Sequence, residues 1–351
     1  IYKMANSSLA IEKLNQLKAL QPSNTGVDKK LAEIYYLKND FSKAADAYSR
    51  FAMGPVATEE DLVKYAFALF LNHDFEKSLE VANMGLQKNP RHAAFNRLAM
   101  YNYTDLKRFD EAMKAADIFF NETDKADYSY LDYMYYGHLL EDLKKYDEAV
   151  IQYEKAVQLD PSNTNLYKNI SAAYERKNDY KKAISAYRKY YASLDKEKQT
   201  PDLQFQFGRL YYGAGTQPDS LAITVEERKQ ALMSADSTFH AIAEAAPDSY
   251  LGNFWRARAN SALDPETTQG LAKPFYEEVA TLLESKNDPR YNAALVECYS
   301  YLGYYYLLAI ENPALKAEAK ANKETSRDYW SKILAIDPAN ATAKRALDGI
   351  K

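Results

Sequence analysis

A chain of 351 residues is long enough for two ordinary domains or for one extended array of repeats. Hydrophobic residues at 47% and charged residues at 27% are those of a folded protein, while 11 Gly and 12 Pro are too few for the turns of an all-β fold. A net charge of −4, with Lys and Glu interspersed, leaves no basic field for a phosphate backbone, so nucleic acid is set aside as a partner. No run approaches the ~18 apolar residues of a membrane-spanning segment. The single Cys298 rules out an intramolecular disulfide and a cysteine zinc cluster. The 31 Tyr, 14 Phe and 2 Trp must pack together or meet a partner.

In chain order, residues 1–24 come first. Ala10, Leu14 and Leu17 before Pro22 read as the second helix of a partial unit whose first helix is missing, and a start at Ile1 points to a processed or trimmed N-terminus. Residues 25–200 follow as five regular helix pairs. Their first helices carry a small residue at Ala32, Ala66, Gly137 and Ser171, with Met100 as the departure in the third pair. Their second helices carry Ala44, Ser78, Ala112, Ala149 and Ala183, always 12 residues after the first slot. Residues 201–338 repeat the theme irregularly, with slots at Gly208 and Ala235, Ala257 and Ala272, and Gly303 and Ser326. These pairs add 15, 3 and 11 residues to the regular spacing, around 213–228, 263–271 and 307–325. The first insertion reads as loop from Gly213 to Pro218 and as helix by Glu226. The last reads as lengthened helices, through Tyr304–Ala309 and Ala314–Ala321. Residues 339–351 read as a capping helix that turns Ala343, Ala346, Leu347 and Ile350 to the array.

Small residues are wanted at both slots because paired helices cross there with their backbones close. A large side chain would force them apart, at about 1–3 kcal/mol. Apolar residues flank the crossing at helical spacing, as Tyr133, Tyr136, Gly137 and Leu140 do before Ala149, Tyr153 and Ala156. Pro22, Pro90, Pro161, Pro247 and Pro338 end second helices, and Asn39-Asp40 and Asn178-Asp179 suit turns and caps. This set resembles the tetratricopeptide repeat (TPR), a helix pair of about 34 residues with a Trp-x2-Leu-Gly-x2-Tyr, Ala-x3-Phe and Pro signature. Tyr299, Leu302, Gly303 and Tyr306 carry the first-helix spacing. The fourth pair has the fullest pattern, and the fifth follows with Tyr167, Ile170, Ser171, Tyr174, Ala183 and Tyr187. The third and seventh depart from it, with Asn253 and Asn260 where bulky residues are usual. The resemblance covers roughly residues 8–350. It implies an all-α fold, a right-handed superhelical α-α solenoid of TPR helix pairs, in a bacterial, Bacteroidetes-like protein.

Chemistry is sparse. No Gly-x4-Gly-Lys phosphate loop, Gly-x-Gly-x2-Gly turn, Gly-x-Ser-x-Gly elbow or His-Glu-x2-His zinc helix occurs. His73, His92, His138 and His240 are far apart in an extended array, which argues against a shared metal site. His138 has Glu141 and Asp142 three and four residues on; the group could ligate a divalent cation, or the acids could raise the His pKa, and the preferred reading is a plain solvated His-carboxylate cluster. Cys298 has no base beside it and reads as a buried, inert thiol. No catalytic residue, metal or cofactor is expected.

In the family, first helices line a concave groove and second helices lie outside. The resemblance therefore implies a partner-binding groove lined by Tyr36, Phe67, Phe70, Tyr101, Tyr135, His138, Arg209, Tyr212, Phe254, Trp255, Arg258, Tyr301 and Tyr304. Lys29, Lys64, Arg97, Asn169 and Glu175 are among its polar members. Rings give contact area at low entropic cost, and Arg grips carboxylates in two bonds. Some of these rings would instead pack between neighbouring first helices. The expected function is a non-catalytic scaffold or adaptor that holds a protein or peptide. The family's carboxylate clamp for acidic chaperone tails is not reproduced, since Lys168 and Asn169 are fragments of it only. A second reading is a glycan-binding component of an outer-membrane nutrient uptake system. The Tyr- and Asn-rich composition resembles exported bacterial proteins, among them the starch-binding lipoproteins of gut bacteria, and leans toward a periplasmic or outer-membrane-associated location. A third is a homodimeric scaffold joined through the aromatic C-terminal units.

Overall fold

The computed structural model describes residues 7–123, 126–218, 223–311 and 318–350. No strand occurs among the described residues. Helix α1 (Ser7–Leu20) precedes the pairs α2–α3 (Thr25–Leu37, Phe41–Ser49), α4–α5 (Glu59–Leu71, Phe75–Lys88) and α6–α7 (Ala93–Asp105, Phe109–Asn121). Next come α8–α9 (Tyr130–Asp142, Tyr146–Leu159) and α10–α11 (Asn165–Arg176, Tyr180–Ala192). The last three pairs are α12–α13 (Pro201–Gly215, Val225–Ala245), α14–α15 (Leu251–Leu263, Lys273–Lys286) and α16–α17 (Asn292–Glu311, Ala319–Ile336), closed by α18 (Ala341–Gly349). The architecture is an all-α solenoid of helix pairs. The chain divides into two compact units, 1–173 and 174–351.

The regular pairs turn in one way. Asn39, His73, Lys107, Lys144 and Asn178 all sit in the left-handed region, with φ of 59°, 61°, 57°, 61° and 64°. Each is followed by a residue whose N–H reaches back five positions, as from Asp40 to the Tyr35 carbonyl (2.9 Å) and from Lys145 to Leu140 (2.8 Å). The left-handed residue itself bonds back three, as from Asn39 to Tyr36 (3.0 Å). This double bond pattern is the Schellman motif, which satisfies the last carbonyls of the first helix and reverses the chain at once.

The slots are where the helices cross. Every Ala, Ser and Met assigned to one is at most 2% exposed, and the slot glycines are buried. Four positions beyond the second-helix slot stands the residue that faces the first: Tyr48, Ala82, Ala116, Tyr153, Phe239, Tyr276 and Trp330 in the pairs contained within one unit. A Cβ on Gly137 would lie 2.4 Å from the Tyr153 ring, one on Gly208 2.6 Å from Phe239, and one on Gly303 2.8 Å from Trp330. The departure at Met100 now has a reason. Its counterpart is Ala116, in the same buried cluster, so a large slot residue meets a small partner and the volume is kept. Where the second slot is serine, its hydroxyl donates to the carbonyl of the first-slot residue: Ser78 to Ala66 and Ser326 to Gly303, both at 2.8 Å.

Unit 174–351 keeps these crossings with other connections. Gly213 to Gly215, expected in a loop, are the last residues of helix α12. Gly213 and Gly215 are glycine because the helix is crowded there: a Cβ would come within 2.3 Å of the Tyr180 ring at Gly213 and 2.4 Å of Leu232 at Gly215. Helix α13 begins at a capping box, in which the Thr224 hydroxyl accepts the Glu227 N–H (3.1 Å) and Glu227 accepts the Thr224 N–H (3.0 Å). The seventh pair is joined by a tight loop wound around the buried Asp264 carboxylate, which accepts N–H groups from Thr268, Gln269 and Gly270 at 2.7–3.0 Å. Its second helix starts just after the slot residue Ala272, not three residues before it. In the eighth pair both helices are long, at 20 and 18 residues; the stretch expected around Ala314 lies outside the described residues. At the ends, Ile11 and Leu14 of α1 pack on the first cluster while Leu17 stays 38% exposed; α18 buries Ala343, and Ile350 just beyond it is buried too.

Candidate binding surface

In unit 1–173 the first helices α4 and α8 begin with acids that tie one pair to the next. Thr58 and Asp61 form a capping box at α4, and Ser129 and Asp132 form one at α8. Asp61 takes the ammonium of Lys29 (2.6 Å) from the preceding first helix. Asp132, fully buried, takes the Arg97 guanidinium through Nε (2.7 Å) and Nη2 (3.0 Å) and the Tyr101 hydroxyl (2.7 Å). Lys29 and Arg97, expected as polar groove members, thus join successive pairs. Lys64 pairs along its own helix with Glu60 at 2.5 Å.

Above that layer the rings of α4, α6 and α8 meet. Tyr101 stacks on Tyr135 at 4.1 Å, and Phe70 lies 5.5 Å from Tyr101 and 5.9 Å from Tyr135. Tyr101 is only 3% exposed, so it backs the others and offers no open ring. Phe67, Phe70, Tyr135 and His138 are half-buried, as is Tyr36, which packs edge-on against Phe41 (5.8 Å). Beside them stand residues that the reading of the sequence missed: Leu37 and Leu71, 63% and 42% exposed, and Asp105, whose carboxylate accepts the Tyr135 hydroxyl at 3.2 Å.

His138 is only partly solvated. It packs 5.6 Å from Tyr153, and in the neutral ring its Nε2 accepts the Asn169 amide at 3.1 Å. Burial holds its pKa below the ordinary value and outweighs the opposing pull of Glu141, Asp142 and Asp105. The rise that the acids alone would give does not occur, because loss of water penalises the imidazolium more than these acids favour it. Partial burial likewise lifts the Asp105 carboxyl, against the Tyr135 bond and the charges of His138 and His73.

In unit 174–351 the expected surface residues are largely engaged by their own chain. Phe254 is 6% exposed and belongs to the core. Trp255 meets Phe205, Tyr212 and Phe239 at 5.4–5.5 Å. Arg258 lies 4.5 Å over Phe254 and 4.8 Å over Trp255 while forking onto Glu297 at 2.8 and 2.6 Å. Tyr301 packs on Tyr276 at 4.8 Å. Arg209, 3.9 Å from Glu175, is exposed, and so is Tyr304 at 43%. Phe254, three residues before its slot, falls on the stripe that turns inward, which is why it is core.

Cys298 is fully buried, and burial pushes its thiol pKa up. Among the described residues no group of His, Cys, Asp and Glu could hold a metal ion, and no helix is long and apolar enough to cross a membrane.

A family model described as TPR repeat matches residues 137–178, starting at the slot glycine Gly137. The crystal structure of the C-terminal part of a TPR repeat-containing protein from Cytophaga hutchinsonii is 28% identical. That match covers 81% of this chain and 99% of that one, with a TM-score of 0.61. A tetratricopeptide repeat protein from Parabacteroides merdae is 17% identical over 69% of this chain and 92% of that one, with a TM-score of 0.47. MamA from Desulfovibrio magneticus is 16% identical over 50% of this chain and 97% of that one, with a TM-score of 0.43. No functionally curated protein matches the sequence. Repeats of this kind serve in general as protein-interaction scaffolds, and their families are typically non-catalytic. The family match over residues 137–178, the likeness to the Cytophaga structure and the recurring slot geometry agree on a solenoid of tetratricopeptide-type helix pairs, similar to those of bacterial TPR proteins.

Proposed function

We propose that the chain is a non-catalytic scaffold that holds a peptide segment of another protein against the first-helix face of unit 1–173. The observation that carries this reading is the group of half-buried rings Phe67, Phe70, Tyr135 and His138, backed by the buried Tyr101 and Asp132. Rings fixed from behind lose little freedom when a partner covers them, so most of the contact energy is kept as affinity. Exposed Leu71 on the helix of Phe67 and Phe70, and Leu37 at the equivalent position of the preceding first helix, add aliphatic surface, the combination that takes anchoring side chains of a peptide.

The test is photo-crosslinking in the source cell. A benzophenone amino acid replaces Phe67 in one variant and Ile151, 50% exposed on a second helix, in a control. The reading expects a discrete adduct with another protein at position 67 and none at 151. No adduct at 67, or equal adducts at both, would overturn it. An adduct with a second copy of this chain would support the homodimer reading, and a protein-free adduct carrying sugar the glycan reading.

A further inference from the structure

We infer that the segment held by this face is apolar at one end and cationic at the other. Leucine-like or aromatic residues would lie over the first and second pairs, and Lys or Arg over the third and fourth. The inference rests on the peptide-binding reading of the face. The residue five positions after the first-helix slot is Leu37 in α2, Leu71 in α4, Asp105 in α6 and Asp142 in α8. One structural position thus changes from exposed aliphatic to exposed acid along successive pairs.

The cations of these first helices are already engaged. Lys29 is held by Asp61, Lys30 by Glu33 (2.8 Å), Lys64 by Glu60 and Arg97 by Asp132. Lys107 and Lys144, in the turns two residues beyond the acids, pair with neither. Asp105 and Asp142 have no ion pair among the described residues, and both lie close enough to His138 for their charges to act on it. With His138 neutral near pH 7, their charge stays uncompensated on the side where the Tyr135 ring is half-exposed. A partner ammonium or guanidinium there gains two carboxylates and an aromatic face together. Packed helix axes stand about 8–10 Å apart and an extended chain advances about 3.3 Å per residue, so apolar anchor and cation fall about three positions apart.

A random dodecapeptide display library selected on the whole chain tests this. Selected peptides are then measured by fluorescence polarisation against wild type, Asp105→Asn/Asp142→Asn, Asp105→Lys/Asp142→Lys and Phe67→Ala. The expected result is enrichment of an aliphatic or aromatic residue followed about three positions later by Lys or Arg. Affinity should fall about ten-fold in the isosteric asparagine variant, further in the lysine variant, and with added salt. Circular dichroism melting confirms that the variants fold, the asparagine pair being the least disruptive. Peptides without Lys or Arg that still require Phe67 would overturn the inference and leave the binding face standing. No peptide that depends on Phe67 would overturn both.

Discussion

The two units solve the same packing problem with different freedom. In 1–173 every pair has the same turn, a left-handed residue seven positions after the slot. In 174–351 a helix extension, a carboxylate-centred loop and two long helices replace that turn in the last three pairs. What persists through both is the fit at the crossing: Gly137 under Tyr153 in one unit, Gly208 under Phe239 and Gly303 under Trp330 in the other. The crossing defines the repeat, and the connection is free to vary. The units differ also in where their rings go. Trp255, itself half-buried, is ringed by Phe205, Tyr212 and Phe239 with Arg258 over it, while the equally half-buried Phe70 and Tyr135 share one buried ring, Tyr101, above a buried salt bridge.

Breaking the ties between pairs gives the largest contrast. Asp132 is fully buried and paired with Arg97, so Asp132→Ala leaves a guanidinium without its counter-charge and should cost about 3–5 kcal/mol in urea unfolding. The tie in the other unit, Arg258 with Glu297, has side chains 31% and 34% exposed; Glu297→Gln should cost about 1 kcal/mol. Equal losses would mean that the buried tie does not distinguish the units. The crossing itself is sharpened by a cycle that rewrites the third pair as the fourth. Met100→Gly should cost about 2–5 kcal/mol as a cavity, and Ala116→Tyr about 1–3 as overpacking. The double variant should lose at least about 1 kcal/mol less than the sum, and strict additivity would refute the volume exchange.

Smaller differences come from the slot serines. Ser326→Ala removes one hydroxyl bond, worth about 1 kcal/mol. Ser78→Ala should cost more, because the buried Asn102 amide donates to Ser78 Oγ at 2.8 Å and would lose its acceptor. Least costly is the pH effect at His138. A folded pKa held below the ordinary value means that the unfolded chain binds the proton more readily, so stability falls as pH drops through the unfolded value toward the folded one. Melting curves between pH 7.5 and pH 5 should show this loss in wild type and a smaller one in His138→Gln. A larger loss in the variant would place the ring in a charge-favouring site.

Much of this was legible in the residues. The slots could be read because small side chains recur at fixed spacing, and Met100 stood out as the one that did not fit. Its explanation needed Ala116, sixteen residues away on the facing helix. Gly213 and Gly215 misled because glycine signals a turn and a close approach alike, and only the positions of Tyr180 and Leu232 decide between them. Lys29 and Arg97 were read as groove residues although their partners were visible as Thr58 with Asp61 and Ser129 with Asp132, capping boxes one unit along. The pKa of His138 was read from its charged neighbours alone. Burial, to which Tyr153 on the facing helix contributes, set the opposite sign, and no spacing within the helix of His138 encodes that contact.

The most direct measurement compares one ring from each unit, reading unfolding and the binding of a library-selected peptide on the same samples. Phe67→Ala should weaken peptide binding by at least about ten-fold while the fold is kept, since the ring is half-exposed. Trp255→Ala removes contacts with three rings of its own unit and should cost about 2–3 kcal/mol of stability, less than a fully buried aromatic, and leave the affinity of the folded protein within about two-fold. If Trp255→Ala abolished binding at full stability while Phe67→Ala changed nothing, the open face would belong to the other unit and the account would fail.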